Sequence, residues 1–175
     1  MSALPKAVRV LVGIVGMALF IGIVAVLLLR HAGGWGVPYF PFTSDRGSQC
    51  RNTLTGYVCS PLNLADVEYW AEIDLPDSTV VKEGTYTATH DYQLTASLIV
   101  PAADAAAAQK ALRASFGKCG TRAAPMDTTG LTSVCVMAND DAVVESEHAA
   151  SRLWAVGTGK TADGNLVVGI SIKSR

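Results

Sequence analysis

Charge is scarce in this chain, and acid is absent from its first quarter. Of 175 residues, 17% are charged, against roughly 25% in ordinary soluble domains. All 15 acidic residues follow Thr43, and Val10–Leu29 carries no charge at all. The balance of 14 Lys+Arg against 15 Asp+Glu, a formal charge of -1, excludes a strongly basic nucleic-acid binder, which would carry excess cations on one face. No two cysteines stand at C-x-x-C spacing, so the common zinc and dithiol redox motifs are missing. The G-x-S-x-G signature of many serine hydrolases is missing too.

Other chemical signals fall short. Gly157-Thr158-Gly159-Lys160-Thr161 matches the end of a phosphate-binding loop. The full motif needs a glycine five residues before the Gly-Lys pair, so that backbone N–H groups can wrap the phosphates. That position holds Trp154. The three histidines, His31, His90 and His148, have no second ligand at i, i+4. His90, Asp91, Glu147 and His148 could form an acid–base or metal cluster only by converging in the fold. They keep open one alternative, a small membrane-anchored hydrolase-like enzyme. Asp140-Asp141 and Glu145-x-Glu147 read more simply as a solvated acidic patch near a turn, without EF-hand spacing. No residue is assigned a catalytic, cofactor-binding or metal-binding role, and no cofactor is expected.

The largest positive signal is Val10–Leu29, twenty consecutive uncharged residues, fourteen of them Leu, Ile, Val or Phe. As a helix it is about 30 Å long, the thickness of a bilayer's hydrocarbon core. Its insertion free energy sums to about -6 kcal/mol. A cleaved secretory signal would have a shorter apolar run and small residues at its end, whereas Arg30 and His31 follow here. The expectation is an uncleaved plasma-membrane anchor. Lys6, Arg9 and the α-amino group before the span, against Arg30 after it, favour a cytoplasmic N-terminus. Ala18-x-x-x-Gly22 is a small-xxx-small spacing through which two such helices could approach. Expected partners are therefore the lipid bilayer and, beyond it, another envelope protein or a second copy of the helix, but not nucleic acid.

Residues 33–42 read GGWGVPYFPF. The glycines and prolines end the helix. Trp35, Tyr39, Phe40 and Phe42 suit an interfacial aromatic belt or a segment packed on the domain.

All four cysteines, Cys50, Cys59, Cys119 and Cys135, follow the apolar span. An even number in an exported region indicates disulfides. Three connectivities are open. Cys50–Cys59 with Cys119–Cys135 is favoured because each pair brackets turn-forming residues. The second would close a fifteen-residue loop, worth about 3 kcal/mol in the chain-entropy model.

From His31 onward, 11 Lys+Arg oppose 15 Asp+Glu, a net -4 that suits a soluble domain. Asp66–Asp74 alternates enough to predict a strand. Thr79–Glu83 and Gly84–Thr89 predict a short strand or irregular hairpin. Tyr92–Val100 predicts a half-buried strand with Leu94, Ala96, Leu98 and Val100 on one face. Pro101 to about Phe116 predicts a helix whose stripe is Ala105, Ala108, Leu112 and Phe116, stopped by Gly117. Leu131–Met137 predicts a strand, followed by an Asn139-Asp140-Asp141 turn. Arg152–Lys160 and Leu166–Lys173 flank an Asp163-Gly164 turn and predict a hairpin.

The stretch Ile73–Phe116 resembles exported or anchored domains of uncharacterised actinobacterial proteins, which share its Leu-Pro-x-Ser/Ala start, a strand ending in Val-Pro or Ala-Pro, and the following helix. The resemblance implies a cell-envelope location and carries over no catalytic residue.

The expected architecture is α+β: one transmembrane helix plus a small disulfide-bonded domain of antiparallel strands with one packed helix. The expected layout is a cytoplasmic tail over 1–9, the transmembrane helix over 10–29, a juxtamembrane linker over 30–48 and the extracytoplasmic domain over 49–175. The expected role is non-catalytic binding or scaffolding in the cell envelope.

Overall fold

The computed structural model describes residues 5–139 and 152–174. In chain order it contains α1 (Lys6–His31), β1 (Pro41–Thr43), β2 (Gln49–Asn52), β3 (Tyr57–Cys59), α2 (Leu64–Ala71), β4 (Val80–Ala88), β5 (Tyr92–Val100), α3 (Ala105–Phe116), β6 (Thr132–Ala138), β7 (Arg152–Lys160) and β8 (Leu166–Ser174). Helix α1 is long and apolar enough to cross a membrane, and the rest of the described chain does not cover its span.

The strands form one eight-stranded antiparallel sheet in the order β1-β2-β3-β4-β5-β8-β7-β6. Its centre follows from strict alternation. Leu94 pairs with Ile172, Ala96 with Ile170, Leu98 with Val168 and Val100 with Leu166, so one face of β5 and β8 is a continuous apolar surface. Trp154, Val156 and Thr158 of β7 extend it through their pairing with Ile172, Ile170 and Val168. The β7–β8 turn closes as the Asp-Gly signal predicts: Gly164 takes φ +82 and donates its N–H to the Thr161 carbonyl at 3.0 Å.

Two helices cover this face. The predicted stripe of α3, Ala105, Ala108, Leu112 and Phe116, is buried in full. Phe116 meets Trp154 with ring centroids 5.2 Å apart. The second helix corrects the expected single packed helix and the strand predicted over Asp66–Asp74, because residues 64–71 are α2. Asn63 caps it by accepting the Asp66 N–H at 2.8 Å, and Val67 and Ala71 bury themselves one turn apart. Over eight residues, alternation and helical spacing compete closely, and capping with burial of Val67 and Ala71 decides for the helix. The segment expected as a short strand or irregular hairpin holds one strand, β4 (Val80–Ala88), with a bulge between Val81 and Glu83. Gly84 lies in it because a Cβ there would sit 2.8 Å from Cβ of Leu62.

Strands β1 to β3 add to the elements expected from sequence. β1 lies inside the stretch expected as linker and pairs Phe42 with Cys50. Cys50 and Cys59 face each other across the β2–β3 hairpin and are bonded. Cys119 and Cys135 form the second disulfide, with Cα atoms 5.2 Å apart, so the favoured connectivity is the one observed.

The second disulfide anchors a crossing segment on the opposite face. Between Cys119 and Cys135 the chain lays Ala124, Pro125, Met126 and Leu131 over three glycines of β7 and β8. An added Cβ at Gly157 would lie 3.0 Å from Cδ of Pro125, one at Gly159 2.9 Å from Cδ1 of Leu131, and one at Gly169 2.7 Å from Cβ of Met126. Gly157 and Gly169 are direct partners across the sheet. The glycines that resemble a phosphate-binding motif are thus a bare track for this strap. Gly169→Ala is expected to destabilise the domain by about 1–3 kcal/mol through overpacking, and Met126→Ala to recover part of that loss in the double variant. A double-mutant cycle by denaturant unfolding measures the coupling.

Candidate functional site

Helix α2 is short, yet it supplies one wall of two adjoining hollows. Its C-terminus is closed by Glu72 in the left-handed conformation, φ 57, whose N–H returns to the Glu68 carbonyl. Arg152 adds a second closure: Nη2 donates to the Trp70 carbonyl at 2.9 Å, and Nη1 lies 2.8 Å from the Glu72 carboxylate. A cation at this end also interacts favourably with the negative end of the helix dipole. Held this way, Trp70 lies flat on Tyr86 of β4, with ring centroids 3.9 Å apart and planes 7° from parallel.

The stack is the middle of an aromatic row along one end of the sheet. Tyr86 continues to Tyr92 at 6.3 Å and to Tyr57 at 6.0 Å, and Tyr57 meets Phe42 edge-on at 5.5 Å. Tyr69, beside Trp70 but exposed, carries the Arg46 guanidinium 3.4 Å above its ring, a cation–π contact. On one side of Trp70 is a hollow of about 430 Å³, reaching Phe42, Arg46, Tyr57 and Asp66. On the other is one of about 540 Å³, reaching Glu68, Tyr86, Tyr92 and Arg152.

Asp45 and Asp66 are the acidic residues lining the first hollow, and Asp66 is the buried one, 1% exposed. Its Oδ2 accepts the Ser44 hydroxyl at 2.7 Å and the Ser48 N–H at 3.1 Å. Its Oδ1 is buried with no hydrogen-bond partner among the described residues. The first turn of α2 favours the negative charge, and the two accepted bonds tie the 44–48 loop to the helix. Burial raises the Tyr57 phenol and pushes Tyr86 up to about 12, with the nearby Tyr57 and Tyr92 phenols adding to the effect at Tyr86. Chemically the row offers flat apolar faces, phenol donors, and charge of both signs at its margins. That set suits binding by stacking and hydrogen bonding.

The residues singled out from sequence are distributed differently. Trp35 and Tyr39 are exposed, Phe40 is half-buried, and Phe42 is packed into the aromatic row. His90 and Asp91 are neighbours on the exposed β4–β5 turn, where Asp91 accepts the Ser174 hydroxyl at 3.2 Å. Glu147 and His148 lie outside the described residues, as do Asp140, Asp141 and Glu145. Among the described residues no three His, Cys, Asp or Glu side chains gather as a metal site. Sequence reasoning missed Asp66, Tyr69, Trp70 and Tyr86 because it placed the first three on a strand. Asn63-x-x-Asp66 ahead of the Val67/Ala71 pair was the signal that could have found them.

Comparison of the chain with protein-family models, with curated proteins and with solved structures finds no match.

Because Tyr86 favours its neutral form when folded, its contribution to stability is complete below about pH 10 and is lost as pH rises through about 12. A phenolate absorbance titration is expected to show Tyr86 ionising last, near pH 12, and Tyr86→Phe to remove that last step.

Proposed function

We propose that this protein is a single-pass plasma-membrane protein, N-terminus in the cytoplasm, presenting a non-catalytic binding domain in the cell envelope through the aromatic row beside α2. The observation that carries this reading is the pairing of an uncovered apolar helix with a domain whose described cysteines are all in disulfides. Disulfides persist in oxidising compartments, so they support placing the domain beyond the membrane. Lys6 and Arg9 ahead of the helix support the same orientation. Arg30 and His31, where small residues would precede a cleavage site, support retention of the helix. Ile73–Phe116, with its resemblance to actinobacterial exported domains, agrees with an envelope location. The binding role is supported by the two hollows on either side of Trp70. The hydrolase alternative draws nothing from His90 and Asp91, which stand side by side on an open turn.

Self-association is a second reading for the helix. Ala18 and Gly22 lie with Val15, Leu19, Ile23 and Val26 along one apolar groove of α1, and a bulky side chain at Gly22 would close it.

The full chain of 18.3 kDa is expected to resist alkaline extraction from membranes and to be cut by protease added outside spheroplasts. Its four cysteines should react with a thiol reagent only after reduction. A photoreactive residue at Tyr69 should form adducts in the native envelope, and the same residue at Gln93, on another exposed part of the sheet, should not. A mature chain beginning after Leu29, or a reduced and protease-protected domain, would overturn the reading.

A further inference from the structure

The junction between α1 and the domain has no slack. After His31 the chain turns on itself: Trp35 donates to the His31 carbonyl at 3.2 Å, Gly36 to Gly33 at 3.1 Å and Val37 to Ala32 at 3.0 Å. Asn52, buried at the end of β2, donates Nδ2 to the Gly33 carbonyl at 2.7 Å. Gly33 touches the backbone of Pro41 so closely that a Cβ would lie 1.9 Å from its carbonyl oxygen.

Pairing continues outward from this point. The Tyr39 N–H donates to the Asn52 carbonyl at 2.9 Å and the Asn52 N–H to the Phe40 carbonyl at 3.1 Å. Thr53 closes the β2–β3 turn on Gly56 at 2.7 Å. The turn over Thr53–Gly56 therefore stands beside Tyr39, at the exit of the helix. Gly56 backs onto Ala88 at the end of β4, where a Cβ would meet the Ala88 carbonyl at 1.8 Å.

Exposed apolar side chains concentrate at this corner. Outside α1, the large hydrophobics exposed among the described residues are Trp35, Val37, Tyr39, Leu54, Tyr69, Val80 and Val134. Four of these seven lie at the helix exit, and Leu54, at 74%, is the most exposed of all. Isolated exposed hydrophobics are ordinary on a surface, but a cluster marks a contact. Tyr39 also holds φ +67, a left-handed conformation that is rare for an aromatic residue and leaves its side chain exposed.

We propose that the β2–β3 turn is a second membrane contact: Leu54 enters the lipid interface beside Trp35, Val37 and Tyr39, and the domain is held against the bilayer in one orientation by the helix and this turn together. The proposal rests on the anchored reading above. Its occupant is the bilayer that holds α1, because the patch is continuous with the end of that helix.

Single-cysteine variants of the full chain test it, since the native cysteines are all in disulfides. Leu54→Cys, Val80→Cys and Val15→Cys are each labelled with an environment-sensitive fluorophore and reconstituted in phosphatidylcholine–phosphatidylglycerol vesicles, with or without nitroxide-labelled lipid. Val80 is a suitable control, as it lies eight residues along β4 from Ala88, about 26 Å at strand spacing. The expected result is strong quenching at Leu54 and Val15 and none at Val80. Quenching at Val15 with Leu54 behaving like Val80 would overturn the second contact and leave the anchor standing. An unquenched Val15 would overturn both. Leu54 is exposed, so its replacement leaves the fold intact, and circular dichroism of each labelled variant checks that.

Discussion

Burial of a single apolar face on the central strands is the constraint from which the rest of this domain follows. Leu94, Leu98 and Val100 of β5, Leu166, Val168, Ile170 and Ile172 of β8, and Val156 of β7 form one surface that water must leave. At about 25 cal/mol per Å² of buried apolar area, such a surface outweighs any single polar contact in the chain. Both helices are positioned by it. α3 presents alanines where it approaches and Leu112 and Phe116 where it fills, while α2 brings Val67 and Ala71 inward and leaves Trp70 to stack at the margin. The aromatic row is therefore a border feature of the core, where apolar packing gives way to phenol hydroxyls and charge.

The other face obeys a different rule. There the sheet is covered by an irregular segment, and contact is close because β7 and β8 carry glycine at Gly157, Gly159 and Gly169. The Cys119–Cys135 bond limits how far that segment can leave, and Asp127, whose carboxylate accepts the Thr129 hydroxyl at 2.7 Å and N–H at 2.9 Å, shapes its turn. These bonds also lower the Asp127 pKa. The outer edge next to it is broken by a register shift between Thr132 and Cys135, with Ser133 at φ +52, which makes it a poor template for a further strand.

Legibility in the sequence tracked the strength of each periodic signal. Tyr92–Val100, the Leu112/Phe116 stripe and the Asp163-Gly164 hairpin are long or chemically specific, and they fold as read. The α+β class and both disulfides follow from the same kind of signal. Over the 66–74 segment Val67, Tyr69 and Ala71 alternate as well as they coil, and the Asn63 cap with burial of Val67 and Ala71 separates the two. Strands β1 to β3 are three or four residues each, too short to show any period, and exist because their neighbours hold them. The aromatic row was illegible for the same reason: Phe42, Tyr57, Trp70, Tyr86 and Tyr92 come from five different elements.

The order of the sheet has a consequence for how the domain is made. β8 lies between β5 and β7, so the lane at the middle of the sheet is filled by the strand synthesised after every other described one. A nascent chain that has delivered β1 through β7 holds two blocks with a vacant lane between them, and β5 shows an unpaired backbone to whatever surrounds it. Cys50 and Cys59 are both present in their own hairpin long before that, whereas the apolar face becomes continuous only when Leu166 to Ile172 arrive. Until then that open intermediate presents the edges of both β5 and β7 as templates for a further strand.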